Sequence, residues 1–100
     1  MIIVRNVFRL KFGKAKEAVA AMKEGVAVQH RLGVPATSTR LLTDVTGPFY
    51  TLALEITVPS LSELESMMPR VMGDKDFQAA YQKFVPHVES GYREVLNVVE

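Results

Sequence analysis

Apolar residues recur along the chain at two spacings, and the order of those spacings repeats. Alternating positions, a helical stripe and further alternating positions occupy residues 2–45, and the same order returns over residues 49–99. A hairpin-like joint at Gly47 and Pro48 separates the two halves. A repeated strand–helix–strand order predicts an α+β fold of the split β-α-β type, with a four-stranded antiparallel sheet and the helices on one of its faces.

The first half predicts a long strand, a long helix and an edge strand. Residues 2–12 alternate, and Asn6 alone interrupts their apolar face. A helix over residues 14–32 ends at Gly33, which accepts a left-handed conformation. The β-branched, half-polar residues 37–45 are typical of a strand at a sheet edge. The apolar stripe that turns this helix toward the sheet consists of Ala15, Ala18, Val19, Met22 and Val26.

The second half begins with a strand over residues 49–58. Ser60, with Glu63 three residues later, predicts a capping box and therefore a helix start. We expect Pro69 to kink or end this helix, because proline lacks the N–H group that the helical ladder needs.

A second helical piece is predicted after Gly73, so the second helical region is broken. Asp74 or Asp76 is its candidate N-cap, and Pro86 disturbs its end. Residues 91–99 form the last predicted strand. All elements belong to one domain over residues 1–100.

Composition narrows the function classes. Twelve basic and 11 acidic residues give a net charge of +1, which provides no surplus field for nucleic acid. There are no cysteines, so disulfides, thiolate metal sites and a cysteine nucleophile are excluded. No apolar stretch approaches the length of a membrane span, and Arg5 interrupts what a signal peptide would keep apolar. We therefore expect a soluble, cytoplasmic protein that binds neither nucleic acid nor membrane.

The sheet face opposite the helices is predicted to be neither polar nor fully apolar. A four-stranded sheet face that carries both apolar and charged side chains is expected to be covered, and a second copy of the chain is the simplest partner to cover it. We therefore predict a homodimer through the sheet faces. Its arginines either recognise an anion or pair with Glu55 within or across subunits. The face comprises Ile3, Arg5, Val7, Arg9, Phe49, Thr51, Ala53 and Glu55.

Three segments carry a resemblance to a known superfamily: Asn-Val-Phe-Arg-Leu-Lys-Phe-Gly at 6–13, Asp-Lys-Asp-Phe-Gln-Ala-Ala-Tyr at 74–81 and Glu-Ser-Gly-Tyr-Arg-Glu-Val-Leu at 89–96. With them, the whole chain resembles the dimeric α+β-barrel, ferredoxin-like superfamily. That group includes NIPSNAP-like domains and the antibiotic-biosynthesis-type and haem-degrading monooxygenases. The resemblance implies two-fold dimers paired sheet against sheet, and ligand cavities between sheet and helices or within the barrel.

Asn6 is the first candidate site residue, because a buried amide needs partners. It either bonds within the core or orients a ligand. In the haem-degrading branch, the resemblance places an asparagine here within an Asn, Trp and His set. The chain has no tryptophan, and Tyr81 aligns with the haem-ligating histidine. Both departures argue against haem degradation, and no cofactor is predicted.

Tyr81 and His87 complete the candidate catalytic set. Tyr81 shares a helical stripe with Phe77 and Phe84, so it either packs in the core or directs its hydroxyl at a substrate. His87 is a candidate general base or a surface residue. His87 with Glu89 supplies too few ligands for a metal, so no metal site is predicted.

Two functions remain open at this point. One is a small homodimeric domain that binds or transforms a small hydrophobic metabolite between sheet and helices, in the manner of a cofactor-free monooxygenase. The other is a non-catalytic dimerisation module with no substrate. A cavity beside Asn6 and Tyr81 would favour the first function, and a solid core there would favour the second.

Overall fold

The computed structural model describes residues 1–99. Within that stretch, the elements are β1 Ile2–Leu10, α1 Ala15–Arg31, β2 Thr39–Thr43, β3 Thr51–Val58, α2 Leu61–Met72, α3 Lys75–Phe84 and β4 Val88–Asn97, with short 3-10 helices at Ala36–Ser38 and Val85–His87. The four strands are antiparallel and pair in the order β2-β3-β1-β4, with β1 and β3 in the centre. This is the predicted ferredoxin-like α+β arrangement, and its second helical region is divided as expected.

The helices pack on one face of the sheet. In one cluster Val4 of β1 and Leu54 of β3 pack with residues of α1 and α2, and in a second cluster Leu52 packs with Phe84 of α3. Val4 and Leu52 are almost fully buried. Burial of these apolar side chains is the main force that holds helices on the sheet. No helix among residues 1–99 is long and apolar enough to cross a membrane.

The C-terminal end of α1 is fixed by a Schellman motif. Gly33 has a φ of 107°, the left-handed conformation that the sequence predicted for it. Its N–H group donates to the His30 carbonyl at 3.1 Å, and the Val34 N–H donates to the Gln29 carbonyl at 3.0 Å. These bonds satisfy carbonyls that a helix end would otherwise leave unpaired, and they set the position of Gln29.

Helix α2 does not end at Pro69 but continues for three residues to Met72. Of the two outcomes predicted for Pro69, a kink or a helix end, the end does not occur: the proline removes one helical hydrogen bond, but its fixed φ suits a helix. The Gly73 N–H then donates to the Pro69 carbonyl at 3.0 Å and closes the last turn. The two predicted caps are present: the Ser60 side chain accepts from the Glu63 N–H, and Asp74 caps α3.

The strand ends differ from the predicted ones. β1 stops at Leu10, and Phe12, predicted to be a core residue, is 76% exposed before the turn at Gly13. β2 is short because Ala36–Ser38 forms a 3-10 helix ahead of it. β4 starts at Val88, earlier than predicted, because the 3-10 helix that contains Pro86 leads directly into it. Alternation thus places the strands but not their limits.

The sheet face opposite the helices, hereafter the open face, has an ion cluster near its centre. The Glu55 carboxylate accepts from Arg40 at 2.6 Å and from Arg5 at 2.7 Å. Hydrogen bonds from Arg40 and Arg5 hold the pKa of the Glu55 carboxyl below its usual range. The predicted pairing of Arg5 with Glu55 is therefore made within one chain. Tyr92, Leu96 and Leu42 are exposed on the same face.

Candidate functional site

A cavity of about 460 Å³ lies between the sheet and the helices. Its size falls within the range of small-molecule sites. The central strands supply its floor through Val4, Leu54 and Ile56, and the helices supply its walls through residues such as Ala21 and Leu64. A protein interior is normally packed without voids much larger than a water molecule, so an opening of this size stands out from ordinary core packing.

Methionine forms much of the cavity wall. The chain has five methionines, and four of them line this space: Met22, Met67, Met68 and Met72. A methionine side chain is unbranched and polarizable, so it can adapt to the shape of a bound molecule. Beside them, the ring of Phe8 meets the ring of Phe84 edge to face at 4.9 Å. The wall is therefore suited to binding an apolar ligand.

Asn6 lines the cavity and has a protein partner. Its side-chain oxygen accepts a hydrogen bond of 2.7 Å from Nε of Arg93, the residue directly opposite on β4. Both residues line the cavity. Asn6 is half-buried and Arg93 is exposed, so the pair stands at the cavity rim along β4. The amide interrupts the apolar face because it holds this guanidinium.

Gln29 is a second polar residue among those that line the cavity. The residue is 8% exposed, and its side-chain oxygen is buried without a hydrogen-bond partner among the described residues. It lines the cavity from the last turn of α1. A buried acceptor without a partner costs free energy, so such a group calls for an explanation.

The three predicted catalytic residues do not all meet. Tyr81 lines the cavity with Asn6, and its ring stacks on Phe77 with centroids 6.2 Å apart. Its side of the cavity is open, since the residue is 48% exposed. His87 is not among the described cavity-lining residues; it lies in the 3-10 helix after α3, where its carbonyl accepts from the Lys11 N–H at 2.9 Å.

The cavity lining contains few charged side chains. Arg93 is the only charged side chain among its described lining residues, and none of these is an aspartate, a glutamate or a histidine. The lining therefore holds neither a carboxylate nor an imidazole that could act as general base. Within residues 1–99, no cluster of three or more histidine, cysteine, aspartate or glutamate side chains could hold a metal ion.

Sequence reasoning missed Gln29 and Arg93, although each had a signal. Gln29 follows Met22 and Val26 by seven and three residues, so it belongs to the helical stripe that faces the sheet. Arg93 lies opposite Asn6 once β1 and β4 are paired in antiparallel register. The polar anomaly in β1 thus predicts a partner on the neighbouring strand.

Comparison with known proteins supports the fold. A NIPSNAP family protein from Agrobacterium tumefaciens has a TM-score of 0.87 at 20% identity, covering 99% of this chain and 93% of that chain. An uncharacterised NIPSNAP domain protein from Burkholderia xenovorans has a TM-score of 0.82 at 19% identity, covering 99% and 95%. An antibiotic biosynthesis monooxygenase has a TM-score of 0.77 at 13% identity, with both chains fully covered at 100%.

No protein-family model matches the sequence. No curated protein matches it either. At these low identities the structural neighbours indicate a shared fold and not a shared activity. The resemblance read in the sequence is confirmed at that level: the chain has the ferredoxin-like α+β fold of NIPSNAP family proteins and of an antibiotic biosynthesis monooxygenase.

Proposed function

We propose that this protein binds a small, largely apolar molecule in the cavity between sheet and helices. The observation that carries the proposal is the cavity itself, about 460 Å³ in volume, with a methionine-rich wall and a few polar groups. Small-molecule binding sites in proteins have this composition: the apolar walls supply affinity, and a few polar groups fix the orientation of the ligand.

Binding is the activity that the site supports best. Proton abstraction from a substrate, one route into cofactor-free oxidation, is most often carried out by a histidine or a carboxylate. The described lining residues contain no carboxylate or imidazole, and His87 lies outside them. Tyr81 and Asn6 are therefore proposed as contacts of the bound molecule.

We also propose that the protein works as a homodimer through its open faces. Three large side chains are exposed there: Tyr92, Leu96 and Leu42. They lie around an ion cluster in which Arg5 and Arg40 bind Glu55, and Glu94 lies opposite Arg5 on β4, so that positive and negative charges balance. A paired ion cluster can be covered at lower cost than an unpaired charge. A two-fold contact would use this face on both copies and leave the cavity on the outer side of each sheet.

The methionines provide a direct test of binding. With methyl-¹³C-labelled methionine, the four cavity methionines, Met22, Met67, Met68 and Met72, give signals that report on the cavity, while Met1 does not line it and serves as the internal control. We expect octanoate or its methyl ester to shift the four cavity signals and leave the Met1 signal in place. If neither compound shifts the cavity signals, the proposed function is wrong.

A further inference from the structure

We propose, on the basis of the binding function above, that the ligand is an apolar carboxylic acid that also carries a hydrogen-bond donor. Its carboxylate would lie at Arg93 on the cavity rim, and its donor would face the side-chain oxygen of Gln29. The apolar body between the two groups would contact the methionine wall.

Arg93 carries a charge that the protein leaves uncompensated. Its Nε bonds to the neutral Asn6 amide, and no carboxylate among the described residues lies within ion-pair distance of it. By contrast, Arg5 has Glu55. The hydrogen bond that its Nε donates to Asn6 holds the guanidinium in one orientation and leaves its terminal N–H groups without a side-chain partner in the described residues. A planar, oriented fork of N–H groups matches a carboxylate, which it can bind through two hydrogen bonds.

Gln29 specifies the second group. Its oxygen is an acceptor, so only a donor, such as a hydroxyl or N–H group, can satisfy it. The residue is held in place by the Schellman motif that ends α1, since the Gln29 carbonyl accepts from the Val34 N–H. A buried polar group in a binding site discriminates strongly between ligands with and without the matching hydrogen-bond partner.

Three compounds with the same chain length separate these requirements: octanoate, methyl octanoate, and octanoate with a terminal hydroxyl group. Titration calorimetry on the full chain measures their dissociation constants. We expect octanoate to bind at least about tenfold more tightly than its methyl ester, a difference of about 1.4 kcal/mol. Equal affinities of the acid and the ester would overturn the carboxylate assignment while leaving the binding function intact. If none of the three compounds binds, the proposed function itself fails.

Arg93→Gln tests the rim. In this variant we expect the affinity for octanoate to fall toward that for the ester, so that the preference for the acid vanishes. Arg9→Gln is the matched control, because Arg9 is exposed on the open face and does not line the cavity. The same loss of preference in both variants would indicate a general charge effect and overturn the proposal.

Gln29→Met tests the inner end. We expect the parent to prefer the hydroxylated acid over octanoate and the variant to reverse that order, because methionine removes the acceptor and keeps an apolar side chain of similar length. Asn6→Leu keeps the Arg93 charge but frees its Nε, so it should weaken octanoate binding less than Arg93→Gln does. A preference for octanoate over the hydroxylated acid in the parent would overturn the assignment of Gln29.

Discussion

Replacement of Val4 by phenylalanine should fill part of the cavity without unfolding the protein. Val4 is 2% exposed on the helix face of the central strand β1, and it lines the cavity. At most buried positions a larger side chain meets close-packed neighbours and forces them apart. At Val4 the added atoms have a space of about 460 Å³ to enter. We therefore expect a folded variant that has lost its ligand site.

The expected free energy change follows from the size of the substitution. Phenylalanine adds about four carbon atoms to valine, and burial of each methylene-sized group contributes about 0.8 kcal/mol, so complete filling of empty space is worth up to ~3 kcal/mol. Overpacking of a filled core costs about 1–3 kcal/mol. Partial repacking around the new ring opposes the gain, so we expect the free energy of unfolding to lie within about 1 kcal/mol of the parent value.

Val58→Phe is the matched control. Val58 is 4% exposed on the helix face of the other central strand, β3, but it does not line the cavity. Urea unfolding at one fixed protein concentration should show a loss of about 1–3 kcal/mol for this variant, while calorimetric titration with octanoate shows parent-like affinity. Val4→Phe should show the opposite pair of results. Equal destabilisation of both variants, with octanoate affinity retained in Val4→Phe, would refute the existence of a usable cavity.

Three further predictions address the rest of the molecule. Gly91→Ala should cost about 1–3 kcal/mol in urea unfolding, because the new Cβ would lie 2.8 Å from Cδ1 of Phe8; unchanged stability would contradict this close contact. We expect the parent to sediment at about twice the 11.1 kDa chain mass and Val7→Asp, on the open face, to sediment at the chain mass. The control Val45→Asp changes a residue that is 96% exposed and should remain a dimer. A Val7→Asp variant that is still a dimer would place the interface elsewhere. Asp74→Asn should keep the N-cap and lower the free energy of unfolding near neutral pH, because the backbone N–H of Phe77 donates to the Asp74 carboxylate and lowers its pKa below the ordinary value. Protonation of the parent carboxylate removes this advantage, so the difference between the two proteins should shrink in acid; a difference independent of pH would contradict the prediction.

The fold could be predicted because its two halves repeat one pattern. Alternation gave the strands and their faces, and the register confirms that Ile3, Arg5 and Val7 share a face with Glu55. The strand limits were harder, because alternation continues in the sequence beyond the residues that pair. Phe12 shows this: it keeps the apolar rhythm of β1, yet its ring lies outside the core and meets Tyr50 edge to face at 4.9 Å.

The site could be predicted only in part, because different signals carry its residues. Asn6 was identified as a break in an apolar pattern, and Tyr81 as a polar group on a helical stripe; both line the cavity. His87 was chosen for its chemistry and not for its position in a pattern, and it lies outside the described cavity lining. Gln29 and Arg93 required knowledge of which residues face each other across elements, and a single sequence gives this only after the strands are paired.

Two arginines of the open face and the arginine at the cavity are in contrasting electrostatic states. On the open face, Arg5 and Arg40 share the Glu55 carboxylate, and Glu94 lies directly opposite Arg5 on β4, so two carboxylates balance two guanidinium groups. A compensated cluster can be covered by a partner without leaving a bare charge in the contact. On the cavity face, Arg93 has only the amide of Asn6, so its charge remains available to a bound molecule. Strand β1 contributes to both arrangements through adjacent residues, Arg5 on the open face and Asn6 on the cavity face, because successive side chains of a strand point to opposite faces. This alternation lets a single small sheet serve a proposed dimer contact on one side and a proposed ligand site on the other.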